Sequence, residues 1–204
     1  MAVYTLRTPI AAEDAARLRI GDVVYVSGLV VTARDLAHKR LVEYLRRGER
    51  PPVDLNGGVV YHAGPVVRRA GDGWEVVSAG PTTSARMEPF EAEVIRKLGV
   101  KLVVGKGGMG RRTAKALREC GAAYAVFTGG AGVLAAAAVR RVVSVHWLDL
   151  GIADAMWVLD VESFGPLTVV IDSTGSNYLE EVRERAARKV PRVLESISWP
   201  FRAL

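Results

Sequence analysis

The chain has 204 residues, of which 28 are Lys or Arg and 22 are Asp or Glu, and its formal net charge is +6. Half of the residues are hydrophobic, which is enough to build a folded core and excludes intrinsic disorder. The most apolar stretch, residues 128–139, is about a dozen residues long, well short of the roughly 20 needed to cross a bilayer. The N-terminus has no signal-peptide pattern, so we expect a cytoplasmic protein with no membrane segment.

Cysteine and histidine usage limits the chemistry further. Cys120 is the single cysteine, which excludes an internal disulfide and a Cys-rich zinc or iron–sulfur site made by this chain alone. His38, His62 and His146 lack the paired spacing of a zinc helix, so no metal site is expected here. The arginines are scattered along the chain and are not interleaved with aromatic residues, so the positive charge does not predict a nucleic-acid partner.

The first half of the chain is predicted to be rich in β structure. Its patterns indicate a short helix over residues 13–18, a strand over 22–31 and a helix over 33–47, which Gly48 and two prolines end. Strands over residues 59–62 and 65–69 follow, and a turn at 70–73 leads into a strand over 74–78. A helix is then predicted over residues 88–98.

The second half alternates apolar runs, glycine turns and helical runs, as a parallel sheet requires. We predict strands over residues 101–104 and 123–127, each followed by a helix, at 111–119 and 133–139. Two more strand-like runs, 155–161 and 167–171, precede a charged helix over 178–189, and the apolar tail with Trp199 and Phe201 is expected to pack back on the domain. No linker or repeat is visible, so residues 1–204 are predicted to form one α/β domain.

The loop at residues 105–110, GKGGMG, formally matches G-x-G-x-x-G. A dinucleotide site would need an acidic residue at the end of the next strand, and that strand ends in Phe-Thr-Gly-Gly. Lys106 instead adds a cation to a turn whose backbone N–H groups and helix N-terminus already favour an anion. The loop therefore suits a small carboxylate or phosphate, and a packing turn with a solvated lysine is the alternative.

Two further loops carry arginine at the start of a helix. Arg86 follows three hydroxyl residues in the loop over 79–87, and a guanidinium can hold a carboxylate by two parallel hydrogen bonds. Thr83 and Ser84 are expected to act as helix N-caps there, as Thr32 is before the helix over residues 33–47. Arg34 in that segment is either a carboxylate ligand or a solvated side chain, and His38 is expected to be a structural histidine.

Six motifs together resemble a known family, the β subunit or C-terminal domain of class I iron–sulfur fumarate hydratases and the related L-tartrate dehydratases. They run in unchanged order from about residue 6 to residue 188, and GPTTSARM and GKGGMG are the most specific of them. The stretches that carry the resemblance are GDVVYVSGLVVTARDLAHKR, GGVVYHAGP, SAGPTTSARM, KLGVKLVVGKGGMG, FTGGAG and VESFGPLTVVIDSTG.

The resemblance implies a swivelling β/β/α domain that works with an α subunit in an α2β2 complex. The partner would hold a [4Fe–4S] cluster on three cysteines, with its open iron acting as a Lewis acid, and this chain would bind no cluster alone. By resemblance, Arg34, Arg86 and Lys106 match substrate-binding positions and Thr82 matches a proposed catalytic base. A threonine hydroxyl needs an activating neighbour for that role, and the sequence does not identify one.

The activity that the resemblance implies is the reversible hydration of fumarate to L-malate, in which negative charge builds on a carboxylate and preorganised cations stabilise it. The β subunit of an L-tartrate dehydratase, or of a hydratase for a methylated fumarate such as mesaconate, is an alternative because each substrate is a dicarboxylate. A non-catalytic anion-binding module is a more distant alternative.

Overall fold

Nine strands and six α-helices alternate along residues 1–196, which are the residues that the computed structural model describes. Trp199 and Phe201 lie outside the described residues, so the expectation for the tail stays a prediction. The helices are α1 (Ala12–Arg17), α2 (Asp35–Arg46), α3 (Glu88–Leu98), α4 (Arg111–Cys120), α5 (Gly132–Ala137) and α6 (Tyr178–Ser196). The strands are β1 (Val3–Arg7), β2 (Val23–Thr32), β3 (Val59–Tyr61), β4 (Val66–Ala70), β5 (Gly73–Ser78), β6 (Leu102–Gly105), β7 (Ala123–Val126), β8 (Val139–His146) and β9 (Met156–Ile171).

The main sheet closes on itself. Its seven strands follow the order β1-β2-β3-β6-β7-β9-β8, and β2 pairs in addition with β9. β2, β3, β6, β7 and β9 therefore form a barrel-like ring, while β4 and β5 form a separate hairpin. In the main sheet the pairs β1–β2, β2–β3, β3–β6 and β6–β7 are parallel. β9 runs antiparallel to β2, β7 and β8.

The parallel strands are buried on both faces, because side chains alternate between an inner and an outer core. On β6, Leu102 and Val104 join the inner cluster, which contains Trp157, whereas Val103 joins the outer cluster. The outer cluster packs α2, α3 and α4 against the ring. Fully burying one such aliphatic side chain stabilises the fold by about 1.5–3 kcal/mol, so both faces of the ring contribute.

The structure confirms the α/β class and most of the predicted helices, but it corrects the parallel sheet of the second half. The predicted runs over 155–161 and 167–171 are one strand, β9, and its direction is antiparallel. Gly165 and Pro166 favoured a break between the two runs. In the structure these two residues lie within β9, where its pairing with β2 changes register, and proline is tolerated at such an irregularity.

Two strands were not predicted at all. β1 adds a parallel edge strand beside β2, and β8 pairs with β9. The predicted helix over residues 133–139 is α5, which ends at Ala137. β8 begins two residues later, and its exposed Arg140 and Arg141 obscure the apolar alternation that marks a strand. No helix within residues 1–196 is both long enough and apolar enough to span a membrane.

Candidate active site

The candidate site lies at the carboxyl ends of β2, β3 and β6, which are neighbours in the parallel part of the sheet. Arg34 follows β2 and begins the turn into α2, His62 follows β3, and Lys106 follows β6. Ligands of open α/β sheets bind at such an edge, because the loops that leave neighbouring strands converge there. Two of the residues singled out in the sequence are thus placed at one edge by strand topology.

The loop that carries Thr82 is fixed across this edge by backbone hydrogen bonds. The Thr82 N–H donates to the carbonyl of His62 at 2.7 Å, and the Ser84 N–H donates to the carbonyl of Lys106 at 3.0 Å. Thr83 and Lys106 also form an isolated parallel bridge. The hydroxyl loop is therefore attached to the ends of β3 and β6, which brings Thr82 and Arg86 to the same edge as Lys106.

Arg86 joins two of the loops through its guanidinium. Its Nη2 donates to Thr82 Oγ1 at 2.7 Å and lies 3.0 Å from Asp35 Oδ2. The side chain of Arg86 is 45% exposed, so a ligand can reach it. Asp35 lies in the first turn of α2, where the helix dipole alone accounts for an acidic residue, so the sequence did not predict its contact with Arg86. The contact also places a cation beside the Thr82 hydroxyl.

The side chains of Arg34 and Lys106 differ in their burial and in their contacts. Arg34 Nε lies 3.9 Å from Asp154 Oδ1, and neither of these buried atoms has a hydrogen-bond partner within the described residues. The guanidinium passes over Gly64, where a Cβ would lie 2.7 Å from Nη1. Lys106 is exposed, and Gly129 leaves room for its side chain, since a Cβ there would lie 3.0 Å from the Lys106 Cδ.

The Gly-rich loop does not offer a free helix N-terminus, contrary to expectation. The Glu88 carboxylate accepts hydrogen bonds from the Gly110 N–H at 2.6 Å, the Thr113 N–H at 3.2 Å and the Thr113 hydroxyl at 2.7 Å. An acidic side chain of this chain thus already occupies the anion position at the start of α4. The start of α4 is therefore capped by this chain itself, and the Lys106 side chain is the charged group of the loop that can attract a ligand.

The expected hydroxyl N-caps are also wrong. Thr32 Oγ1 accepts a hydrogen bond from the Trp157 N–H at 3.1 Å, so it links β2 to β9. Ser84 is fully buried, and its Oγ accepts from the Lys106 N–H at 3.0 Å. Neither Thr83 nor any other residue at the start of these helices makes a side-chain cap hydrogen bond. Thr32 and Ser84 therefore hydrogen-bond to N–H groups at strand ends instead of capping a helix.

Beneath these loops lies a buried triad of His38, His62 and Glu91, whose side chains are fully buried. His62 Nε2 lies 2.8 Å from Glu91 Oε2, and His38 Nε2 lies 2.9 Å from the same oxygen. His38 Nδ1 lies 2.9 Å from the carbonyl of Arg34, and His62 Nδ1 lies 2.9 Å from Ser84 Oγ. Sequence spacing did not predict this cluster, because its members come from three separate elements.

The triad contains one charged pair. Burial lowers the pKa of His38, but the charge and hydrogen bonding of Glu91 outweigh burial and raise it above its ordinary value. Burial also lowers the pKa of His62. Glu91 raises it, but the charge of the neighbouring His38 lowers it further, so the pKa of His62 stays below its ordinary value. Burial raises the pKa of Glu91, yet the two histidines hold it well below its ordinary range. These directions favour a charged pair of His38 and Glu91 beside a neutral His62.

Two histidines and a glutamate are also a donor set for a metal. The distances of 2.8 and 2.9 Å to one carboxylate oxygen are those of hydrogen bonds and ion pairs. Ligands bonded at about 2.0–2.2 Å to a tetrahedral metal lie roughly 3.3 Å apart. In this structure His62 and Glu91 are joined by a hydrogen bond, whereas His38 Nε2 lies at ion-pair distance from Glu91 and makes no hydrogen bond within the described residues.

Gly105 is required by the packing above this triad. A Cβ at this position would lie 1.9 Å from Ser84 Oγ and 3.0 Å from His62 Nδ1. We expect Gly105→Ala to lower the free energy of unfolding by about 3 kcal/mol, because an inserted methyl group displaces a buried, hydrogen-bonded hydroxyl. Urea denaturation of the full chain measures the change.

Gly73→Ala is the matched control for that substitution, since the nearest atom to its added Cβ is 3.7 Å away in an exposed hairpin. We expect it to change stability by no more than about 0.5 kcal/mol. Equal stability of Gly105→Ala and the unmodified chain would show that the loops above the triad are not tightly packed.

The candidate site is an open face. Arg86, Thr83 and Lys106 are exposed, and Arg34 and Thr82 are half-buried. A cavity of about 580 Å³ lies elsewhere, lined by residues that include Asn56, Leu98 and Gly99, which precede β3 and β6 at their amino ends. The side chains that could bind an anion therefore lie on a surface, where a second molecule could cover them.

The fold and the site define an α/β domain with a barrel-like sheet and a cationic open face. The family model described as Fumarase C-terminus matches residues 2–182, and the chain belongs to this family. The chain is 49% identical over 193 residues to L(+)-tartrate dehydratase subunit beta of Escherichia coli K12, with 94% of each chain covered. A protein of Methanocaldococcus jannaschii, provisionally named L(+)-tartrate dehydratase subunit beta, is 41% identical, with 89% of this chain and 94% of the relative covered. A protein of Geobacillus stearothermophilus, provisionally named class I fumarate hydratase, is 40% identical over 96% of this chain, which covers 37% of that relative.

Proposed function

We propose that this chain is the β subunit of a cytoplasmic hydro-lyase that removes water from L-tartrate in complex with an α subunit. One observation carries the proposal: a chain 49% identical to a tartrate dehydratase β subunit presents Arg34, Arg86 and Lys106 around Thr82 on one open edge. An incomplete site of this kind requires a second chain to cover it. We further propose that the complex is α2β2 and that this domain swivels when the site closes.

The three cations would bind the two carboxylates of the substrate. Lys106 has no ion-pair partner within the described residues, so its charge is available to a ligand. Arg86 already lies 3.0 Å from a carboxylate oxygen of Asp35, and a substrate carboxylate would share or displace that contact. Fixed cations stabilise the negative charge that accumulates on the carboxylate when the neighbouring C–H proton is removed.

Thr82 would take that proton. The Arg86 N–H donates to Thr82 Oγ1 at 2.7 Å, and a cation in this position stabilises the alkoxide form of the hydroxyl. Loss of the C–H proton and of the hydroxide on the neighbouring carbon gives water and an enol, which rearranges to the 2-oxo dicarboxylate. The atoms balance, because L-tartrate yields one water and one oxo acid.

The [4Fe–4S] cluster of the family is proposed to belong to the partner. A cluster of this kind is held by cysteine thiolates, and this sequence has Cys120 alone. Cys120 is half-buried at the end of α4 and packs against the outer core, away from the strand ends of the site. The residues of this chain therefore do not fit the cluster, and no step assigned to this chain involves it.

Fumarate is the second candidate substrate. Fumarate hydratase was expected from the sequence, with tartrate dehydratase as the alternative, and the relatives that match along their own length favour the alternative. The class I fumarate hydratase relative supports fumarate, but at lower identity. Both substrates are four-carbon dicarboxylates, so the same cations serve either of them.

Co-expression with an α subunit of a tartrate dehydratase tests the proposal. After anaerobic reconstitution of the purified complex, we expect loss of L-tartrate and formation of the 2-oxo acid, with fumarate hydration slower or absent. Each chain alone should be inactive, because neither presents the complete site. Coupled absorbance assays with L-tartrate, fumarate and mesaconate as parallel substrates provide the measurement.

Two outcomes contradict parts of the proposal. Faster turnover of fumarate than of L-tartrate would reassign the substrate while retaining the hydro-lyase, and no turnover by an assembled, cluster-loaded complex would leave only anion binding. A stoichiometric iron–sulfur absorbance on this chain alone would refute the assignment of the cluster to the partner.

A further inference from the structure

Stability does not account for the triad of His38, His62 and Glu91. A charged pair in a protein core contributes little net stability, because removing both charges from water costs about as much as their attraction returns. Within the described residues, the buried Glu91 Oε1 has no hydrogen-bond partner, and an unpaired carboxylate oxygen adds to that cost. A well-packed apolar cluster would serve the fold at least as well.

The outward contacts of the triad reach the backbone of all the candidate site loops. His38 Nδ1 contacts the carbonyl of Arg34, and the His62 carbonyl accepts from the Thr82 N–H at 2.7 Å. His62 Nδ1 contacts Ser84 Oγ, which in turn accepts from the Lys106 N–H at 3.0 Å. One buried carboxylate is thus connected to the segments that carry Arg34, Thr82 and Lys106.

The protonation of each ring follows from its partners. A carbonyl oxygen only accepts, so His38 Nδ1 donates to Arg34, and His38 Nε2 faces a carboxylate and carries the second proton of an imidazolium. Ser84 Oγ accepts from the Lys106 N–H, which leaves the Ser84 hydroxyl proton free to be donated to an unprotonated His62 Nδ1. His62 Nε2–H then donates to Glu91, and the triad is neutral overall.

We infer that His38, Glu91 and His62 are positioning residues of the active site, which act through Ser84 and through the Arg34 and Thr82 backbone to fix the cations and the hydroxyl relative to one another. This inference rests on the proposed function. Preorganised geometry matters because displacement of a catalytic group by about 1 Å can cost roughly 100-fold in rate. The three loops come from distant parts of the chain, and the triad is a rigid connection between them.

Glu91→Gln tests the inference through pH. The other titratable groups around the triad are Asp35, whose charge raises the pKa of both histidines, and Tyr124, whose hydroxyl donates to the carbonyl of Gly107 at 2.9 Å. With Gln at position 91, burial lowers the pKa of His38 below its ordinary value of about 6.5. Protonation then opposes folding, so stability falls as the pH drops below that value, whereas in the unmodified chain the raised pKa of His38 favours folding under the same conditions.

In the complex, we expect Glu91→Gln to lose activity below pH 6.5 along a new, reversible acid limb that the unmodified complex lacks. Ser84→Ala keeps the charged pair but removes the hydroxyl that joins His62 Nδ1 to the Lys106 N–H. We expect a kcat about tenfold lower at a temperature where the variant stays folded, together with a lower unfolding midpoint, because two buried polar groups lose their partner. Glu93→Gln is the control, since Glu93 lies on the same helix and faces Arg46 at 3.6 Å on the surface. A full kcat and an unchanged pH profile in both Ser84→Ala and Glu91→Gln would overturn the inference.

Nuclear magnetic resonance of the histidine ring nitrogens in the full chain provides a readout that does not depend on substrate. We expect both His38 nitrogens to be protonated at pH 7 and His62 to be neutral with its proton on Nε2. If no substrate were turned over, the proposed function would fail while these signals still reported the triad. Ordinary titration of both rings, or stoichiometric zinc that disappears in Glu91→Gln, would contradict the assignment.

Discussion

Replacing Lys106 with alanine is expected to lower kcat/KM of the complex by about 100- to 1000-fold, the range found when one fixed charge-stabilising group is removed from an active site. Its ammonium has no ion-pair partner within the described residues. The backbone N–H and carbonyl of Lys106 make the contacts with Ser84, so the loop should keep its conformation without the side chain. Steady-state kinetics with L-tartrate measures the loss, and size-exclusion chromatography measures assembly.

Lys115→Ala is the matched control, because Lys115 is an exposed lysine on α4 that lies 3.9 Å from Glu119. We expect this variant to retain full activity and assembly. If Lys106→Ala lost assembly and turnover in equal measure, Lys106 would contact the partner instead of the substrate. Unchanged kinetics would remove it from the carboxylate-binding set.

Local pattern was sufficient for the helices and for the centre of the sheet. α3 was predicted over residues 88–98, and the structure has it at those bounds, because Pro89 near its start and Gly99 after its end are strong boundary signals. β9 could not be read in this way. Its pairing with both β2 and β7 closes the ring, and the β2 pairing joins residues more than 100 positions apart.

The sequence predicted those site residues that come directly after a predicted strand. Lys106 and Arg34 each follow an apolar run that reads as a buried strand, and loops after parallel strands converge at one edge. Asp35, Glu88 and Glu91 were missed because a carboxylate near a helix start also has a simple local explanation in the helix dipole. In the structure these acids contact other segments: Asp35 meets Arg86, Glu88 caps α4, and Glu91 binds two histidines.

The histidines show the limit of spacing arguments most clearly. His38 and His62 were judged unpaired because they are 24 positions apart and on different elements, yet their ring centroids lie 5.1 Å apart. Parallel pairing of β2 with β3 brings their loops together, and α3 then packs Glu91 between the two rings. Sequence reasoning detects a cluster within one element, whereas this one exists only after three elements have packed.

Replacing Arg86 with lysine is expected to lower kcat/KM about 100-fold although the charge is retained. Arg86 Nη2 contacts Thr82 Oγ1 and Asp35 Oδ2, at 2.7 and 3.0 Å, while other N–H groups of the planar guanidinium remain for a substrate carboxylate. One ammonium cannot reproduce these contacts in fixed directions, and loss of a charge-assisted hydrogen bond of about 2–3 kcal/mol corresponds to this factor. Steady-state kinetics on the assembled complex provides the measurement.

The kinetic pattern separates two roles of Arg86. If the guanidinium both binds a carboxylate and stabilises the Thr82 alkoxide, KM should rise and kcat should fall, whereas a purely binding arginine would raise KM alone. Arg96→Lys is the control, because Arg96 Nε binds Glu119 at 2.6 Å on the surface, and we expect it to be fully active. Wild-type kinetics in Arg86→Lys would show that charge without direction is sufficient, and Thr82 would then need a different activating group.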